Sequence, residues 1–284
     1  MEPVIITQPE YDKASHIFEY SDRFNCITAP PGDAALAAKV KEAGARFVIV
    51  GVERYENELY QALPSGGVIA RFGVGHDGID KSLAASMGIL CCNTPGALDD
   101  SVAECTVGLM IAAARHFVFC AGGTRNGRWA PRVGTELAGK TLVIVGCGEI
   151  GCRVARIAGT GFGTQVIGVG PREPHDTEPF EEWTDQFSQV APTADFVSLH
   201  VPDIPETQDL MGAQKMAQMK KSAILINTAR GNVLDEDALY EAIESGEIAA
   251  AALDVFKTEP YLPQSPTRDL RTLERVIMTP HIGS

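Results

Sequence analysis

No apolar stretch in this sequence reaches the roughly 18–20 residues needed to cross a bilayer. The longest candidate, Val107 to Cys120, is interrupted by Arg115 and His116. The amino-terminal run MEPVIITQPE has neither the basic start nor the apolar middle of a signal peptide. Basic residues are in deficit: 24 Lys and Arg against 37 Asp and Glu give a formal charge of −13. That balance argues against nucleic acid and anionic membrane as partners. There is no Cys-x-x-Cys, no His-x-x-x-His and no cysteine pair at ligand spacing, so no metal site is expected. The seven cysteines are odd in number and mostly sit among Val, Ile, Ala and Gly, where cysteine acts as a small buried apolar residue. Cys147 alone lies in a glycine turn before a helix, a setting that can stabilise a thiolate. A cytoplasmic location is the default expectation.

What is present is enough for a large core, with 45% hydrophobic and 21% charged residues in a chain of one large or two ordinary domains. Short apolar runs recur at Val4–Thr7, Phe24–Thr28, Phe47–Val50, Gly67–Ala70 and Ile89–Cys92. Asp33 to Ala43 has helical spacing, with Gly44 as its stop. Such alternation predicts a parallel sheet with helices on both faces, so residues 1–98 form one α/β domain. Residues 99–284 form a second. It opens on Ser101 and Glu104, spaced as a capping box, and on a long apolar helix ending near Gly122-Gly123. Trp129, in a polar irregular segment, reads as a local anchor or else as a subunit contact. Strands follow at Gln165–Val169, Phe196–Leu199, Ala223–Asn227, Ala250–Leu253 and Val276–Met278, with a helix over Asp237–Ser245 stopped by Gly246. The expected class is α/β: two Rossmann-like or flavodoxin-like parallel-sheet domains with an interdomain cleft.

The second domain is organised around TLVIVGCGEIG at 141–151. A strand runs into Gly146-x-Gly148-x-x-Gly151, and helical spacing resumes at Val154, Ala155, Ile157 and Ala158. Free N–H groups at such a helix start suit the pyrophosphate of a dinucleotide, whereas a glycine turn without the flanking strand and helix would mean little. Three charged or titratable residues then fall where strands end: Arg230, Glu259 and His281. In an open α/β sheet ligands bind outside the carboxyl ends of the strands. Taken singly, each has a bland reading as a helix-end charge, a solvated loop residue and a turn residue; three together in one dinucleotide domain do not.

With these residues in view the sequence resembles the D-2-hydroxyacid dehydrogenases. The likeness runs through Arg71 to Asp80, Asn93 to Gly96 and Glu104, Gly139 to Thr141, Leu199 to Pro202, Met219-Lys220, Asn227 to Gly231, Leu253 to Pro260 and Thr279 to Gly283, nearly the whole chain in order. It implies His281 as the acid/base, Glu259 as the carboxylate that holds the imidazole and favours its protonated form, and Arg230 as the clamp on the substrate carboxylate and carbonyl. It also implies that the N–H groups of Val74 and Gly75 bind the substrate carboxylate. The cofactor would lie along Thr106, Gly146, Gly148, Glu149, Ile150, Gly151, Arg172, Val201, Pro202, Thr228 and Asp254, with Asp254 orienting the nicotinamide carboxamide. A homodimer follows from the same likeness. His16, His76, His116, His175 and His200 read as ordinary residues, with His76 the only one considered for a substrate contact.

Three departures qualify the likeness. Nineteen residues past Gly151, where an NAD-preferring domain carries Asp or Glu for the adenosine 2′-hydroxyl, the chain has Gly170-Pro171-Arg172. That substitution favours NADP over NAD. Gly78 stands where the family often has asparagine. The family usually continues past the histidine motif through a helix that returns to the first domain, whereas this sequence stops at Ser284. Either that return is missing from this member or the sequence is truncated. The expected function is hydride transfer between NAD(P)H and a small 2-keto acid such as glyoxylate or hydroxypyruvate. A formate-type oxidase would carry glutamine at Glu259, and a phosphite-type enzyme lysine at Val74. The rival from another class is a dinucleotide-sensing binding protein of the corepressor type.

Overall fold

The alternation of apolar strand and helix becomes two parallel sheets in the computed structural model, which describes residues 1–284. The chain divides into two compact units, Met1–Leu98 and Asp99–Ser284.

The first unit contains β1 (Glu2–Thr7), β2 (Phe24–Ala29), β3 (Phe47–Val50), β4 (Val68–Arg71) and β5 (Leu90–Cys92), in the order β2-β1-β3-β4-β5 and parallel throughout. This is the flavodoxin-like order. Its core joins Ile5, Val48, Val50 and Ile69 of the sheet to Leu36 and Val40 of the helix Asp33–Ala43. That helix stops at Gly44, whose φ of +61° is the left-handed conformation that ends helices. The loop after β4, residues 72–80, runs from the carboxyl edge of this sheet. The glycine at 78 has a steric cause: a Cβ there would lie 2.1 Å from the Glu53 carbonyl oxygen. An asparagine at 78 would therefore push away the neighbouring loop, which is pinned by Tyr55 N–H donating to Gly78 O at 2.9 Å.

The second unit contains β6 (Thr141–Val145), β7 (Gln165–Val169), β8 (Glu182–Thr184), β9 (Phe196–Leu199), β10 (Ile224–Asn227), β11 (Ala250–Leu253) and β12 (Val276–Met278). Their order is β12-β11-β10-β9-β6-β7-β8, again all parallel. Alternate residues of one strand serve opposite cores. Leu142 and Ile144 pack with the helix Asp99–Ala114, while Val143 and Val145 pack with Leu199, Leu225 and Leu253 on the other face. A sheet covered on both faces needs continuous apolar strands, which is why these segments show no polar alternation. The order reverses between β6 and β9, and the glycine turn leaves β6 at that point.

Several expectations are corrected. Ser101 and Glu104 do not cap the long helix; it starts at Asp99, and both lie inside it. Its start is held by Asp99 and Asp100, which accept from Arg153 at 3.3 and 2.7 Å. The helix does not run to Gly122-Gly123. It breaks at His116, whose φ is +54°, and resumes as Phe117–Arg125 at a bend of 66°. The segment 134–135 causes the break, since Thr135 N–H takes the Ala114 carbonyl at 2.8 Å. Trp129 is not a local anchor, being 87% exposed. Cys147 is not a reactive thiol: burial pushes it up to about 12, and its sulfur points back at the Ile144 and Val169 carbonyls. No single helix is long and apolar enough to cross a membrane.

Candidate active site

The glycine turn is built as a dinucleotide requires, and each glycine has its own reason. Gly146 has φ +101°, and a Cβ on it would meet the His200 carbonyl at 2.6 Å. Gly151 would meet the Gly146 carbonyl oxygen at 2.2 Å, so it allows the helix Glu149–Arg156 to pack onto the turn. Gly148 faces open space, with nothing within 4 Å. These are the tight turn, the helix packing and the open approach that a pyrophosphate needs, with the N–H groups of Glu149, Ile150 and Gly151 at the helix start. The Glu149 carboxylate itself is engaged by Arg153 and His175, each at 3.1 Å. Across the turn, His200 N–H donates to Val145 O at 2.7 Å and brings Val201 and Pro202 alongside. The His200 ring lies 2.8 Å from the Ser198 hydroxyl, and burial pushes it down to about 4, so it stays neutral. Thr106 and Thr228 meet at 2.7 Å; because the Thr106 hydroxyl donates to Val102 O, Thr228 is the donor between them. Arg172 is exposed just beyond β7.

Arg230, Glu259 and His281 follow β10, β11 and β12, which are adjacent strands, and so they share one edge of the sheet. His281 Nδ1 lies 2.7 Å from Glu259 Oε2. A carboxylate only accepts, so Nδ1 carries the proton and Nε2 is left for another partner. Glu259 Oε1 accepts from Phe256 N–H at 3.0 Å. Burial alone would raise this carboxyl, but the bonds from His281 and Phe256 and the nearby Arg230 charge outweigh it and hold it below its ordinary value. A depressed carboxyl stabilises the fold above its unfolded pKa and loses that contribution as pH falls through the folded one. Protonating Glu259 should therefore cost stability as pH falls below the ordinary carboxylate range. Scanning calorimetry over that window should show a flatter Tm–pH slope in Glu259→Gln.

The turns that carry these side chains are fastened by buried polar groups. The Arg230 guanidinium donates to Ala229 O at 2.6 Å, while the Asn227 carboxamide accepts from Ala229 N–H at 3.0 Å and donates to Arg230 O at 2.9 Å. Gly231 has no room for a side chain, since a Cβ would lie 1.9 Å from the Phe256 carbonyl carbon; the turns after β10 and β11 thus touch backbone to backbone. Behind them Glu236, its carboxyl raised by burial, accepts from Lys257 N–H at 2.7 Å. His281 has φ +53°, a conformation few non-glycine residues adopt. It is held there by its N–H to Asp254 O at 2.9 Å. The Asp254 carboxylate accepts from Thr279 Oγ1 at 2.5 Å, Ile282 N–H at 2.9 Å and Gly283 N–H at 2.8 Å. Asp254 was expected beside the nicotinamide, yet its carboxylate already organises the histidine turn. Thr279, Glu236 and Asn227 were not singled out; a polar residue closing an apolar strand was the one available signal for Asn227.

In the first unit, Val74 and Gly75 lie in the loop after β4. Asn93 Nδ2 donates to Val74 O at 2.7 Å and Thr94 N–H to Gly73 O at 3.1 Å. Both tethers hold the loop by its carbonyls and leave the Val74 and Gly75 amides out of the fastening. His76 is tied to Lys81, ring nitrogen to ammonium, at 3.0 Å.

A doubly wound sheet with this glycine turn, and with an imidazole–carboxylate pair on its carboxyl edge, defines a dinucleotide-binding oxidoreductase domain. Residues 107–283 match the family described as D-isomer specific 2-hydroxyacid dehydrogenase, NAD binding domain. A D-3-phosphoglycerate dehydrogenase of Methanocaldococcus jannaschii is 38% identical across 100% of the chain, which spans 54% of that longer protein. A hydroxypyruvate reductase of Thermotoga maritima is 42% identical over 240 residues, covering 84% of this chain and 77% of its own. Among solved structures, the NADPH-dependent glyoxylate/hydroxypyruvate reductase of Sinorhizobium meliloti in complex with NADP and malonate superposes with a TM-score of 0.85 at 28% identity, covering 100% of this chain and 88% of that one. The chain belongs to the D-isomer specific 2-hydroxyacid dehydrogenase family.

Proposed function

We propose that the protein uses NAD(P)H to reduce a small 2-keto acid to the D-2-hydroxy acid, with glyoxylate, hydroxypyruvate and pyruvate as the first candidates. The observation that carries this reading is the His281–Glu259 pair at 2.7 Å beside Arg230 on the edge that also bears the glycine turn. A bound nicotinamide supplies the hydride. His281, held by Glu259 through Nδ1, offers Nε2–H to the substrate oxygen as it becomes an alkoxide. Arg230 holds the substrate carboxylate and polarises the carbonyl beside it. Thr106, Thr228, Val201 and Pro202 line the nicotinamide side, and Asp254 serves chiefly by fixing the His281 turn. The names of the reductase relatives support the small 2-keto acid. The test is NAD(P)H absorbance against a panel of 2-keto acids, and a wild-type protein inactive on the whole panel would overturn the reading.

NADP is the favoured cofactor, because Gly170 and the exposed Arg172 stand where an acidic partner of the 2′-hydroxyl is absent. Arg172→Ala should raise KM for NADPH by about 10- to 100-fold, the usual worth of a hydrogen bond to a charged group. KM for NADH should stay the same; a wild-type preference for NADH would remove the proposal.

We also propose a cytoplasmic homodimer. Seven free thiols suit a reducing compartment. Trp129 and Val133 are 87% and 95% exposed, and Phe117 and Val118 of the helix Phe117–Arg125 are exposed as well, apolar side chains that a second copy would cover. Trp129→Glu should halve the mass seen by light scattering.

A further inference from the structure

We propose that Asn227 is a positioning residue that sets the reach of Arg230 by gripping the backbone of the arginine itself. The inference deepens the reductase reading and rests on Arg230 holding the substrate carboxylate. Asn227 closes β10 and is 0% exposed, the only amide side chain in that buried layer. A carboxamide in such a place is costly unless both of its ends are satisfied. Here both are, and both on the same short turn: Oδ1 accepts from Ala229 N–H at 3.0 Å, and Nδ2 donates to Arg230 O at 2.9 Å. The donor and the acceptor flank the Ala229–Arg230 peptide unit, so the amide fixes the direction in which the Arg230 Cα–Cβ bond leaves the strand edge. Arg230 itself is extended, with φ −149° and ψ 147°, at the start of the short 3-10 turn Gly231–Val233, whose only bond to it is the long one from Val233 N–H to the Arg230 carbonyl at 3.4 Å.

The chemistry admits few substitutes. Aspartate has acceptors only and would turn an oxygen toward the Arg230 carbonyl. Serine and alanine are too short to bridge both groups. The backbone of Asn227 has a separate task, its carbonyl accepting from Asp254 N–H at 2.9 Å. A side-chain replacement leaves that bond in place, and with it the Asp254 carboxylate that holds the His281 turn. The effect of losing the carboxamide should therefore fall on the substrate and spare both cofactor and imidazole.

The experiment uses the full chain with Asn227→Asp and Asn227→Ala, alone and in an Arg230→Ala background. The readouts are oxalate affinity of the NAD(P)H-bound protein by calorimetry, KM and kcat for glyoxylate, cofactor Kd by nicotinamide fluorescence, and Tm. Misplacement of a substrate clamp by about 1 Å costs on the order of 100-fold. We expect oxalate Kd and glyoxylate KM to rise about 10- to 100-fold in Asn227→Ala, with cofactor Kd within twofold of wild type. In the Arg230→Ala background the same replacement should add nothing further. Unchanged oxalate Kd would overturn the proposal, and so would a loss that is additive with Arg230→Ala or shared equally by cofactor binding. Should Asn227→Asp fail to fold around its buried charge, the alanine pair decides. If the wild type binds oxalate yet reduces no 2-keto acid, the reductase reading falls while the affinity ratios still judge Asn227.

Discussion

Alanine at His281 should lower kcat for 2-keto acid reduction by about 10²- to 10⁴-fold, the range for losing a positioned general acid. The reasoning starts from the tautomer. Glu259 Oε2 sits 2.7 Å from Nδ1, so the ring is oriented and Nε2 is the atom left to serve the substrate. Removing the imidazole removes the proton donor and leaves the clamp at Arg230. KM for the keto acid should therefore change far less than kcat, as expected for an interaction made mainly in the transition state. NAD(P)H binding, followed by fluorescence, should stay within about threefold, because the glycine turn follows β6 and takes no bond from the histidine turn. Substituting the conservative Gln should not restore turnover, since an amide cannot deliver a proton to an alkoxide. A residual activity above one-tenth of wild type would mean that another acid does the work. The catalytic assignment would then have to be abandoned, though the dinucleotide fold would stand.

Much of this architecture was legible because the strands of the second unit are covered on both faces. β7, β9, β11 and β12 were expected at the residues they occupy, each a short apolar run stopped by a turn. β8 was missed: Glu182–Thr184 is three residues long at the sheet edge, with one apolar side chain and no period to detect. The break at His116 was missed for a different reason. Nothing local demands it, and the carbonyl at Ala114 is claimed by Thr135, a partner twenty-one positions away that no helical pattern reveals. The site divides along the same line. Arg230, Glu259 and His281 announced themselves as charged or titratable residues at strand ends, but their meeting depends on β10, β11 and β12 being neighbours, and strand order is a non-local property. The fastening was less visible still. Asp254 was assigned to the cofactor by resemblance, whereas its three accepted bonds go to the turn from Thr279 to Gly283, which is twenty-five residues away in sequence at its nearest.

Replacing Arg230 by lysine should be nearly as damaging as replacing it by alanine, although the charge is conserved. A guanidinium presents two parallel N–H groups to a carboxylate, while an ammonium is a point charge on a flexible stem. Arg230 is moreover fitted to its turn, with one nitrogen spent on Ala229 O at 2.6 Å and the backbone held by Asn227. A lysine at 230 has a single nitrogen to divide between that carbonyl and the substrate. The expected loss in kcat/KM for glyoxylate is about 10²- to 10³-fold, in line with truncating one partner of a hydrogen-bonded charge pair. It should be divided between KM and kcat, because the same group binds the carboxylate and polarises the carbonyl. That division separates Arg230 from His281, whose loss falls on kcat. Millimolar guanidinium added to Arg230→Ala should recover part of the lost rate and do nothing for His281→Ala, since only the first variant leaves a site shaped for that cation. If Arg230→Lys keeps more than about one-third of wild-type kcat/KM, two-pronged recognition is not what the arginine contributes.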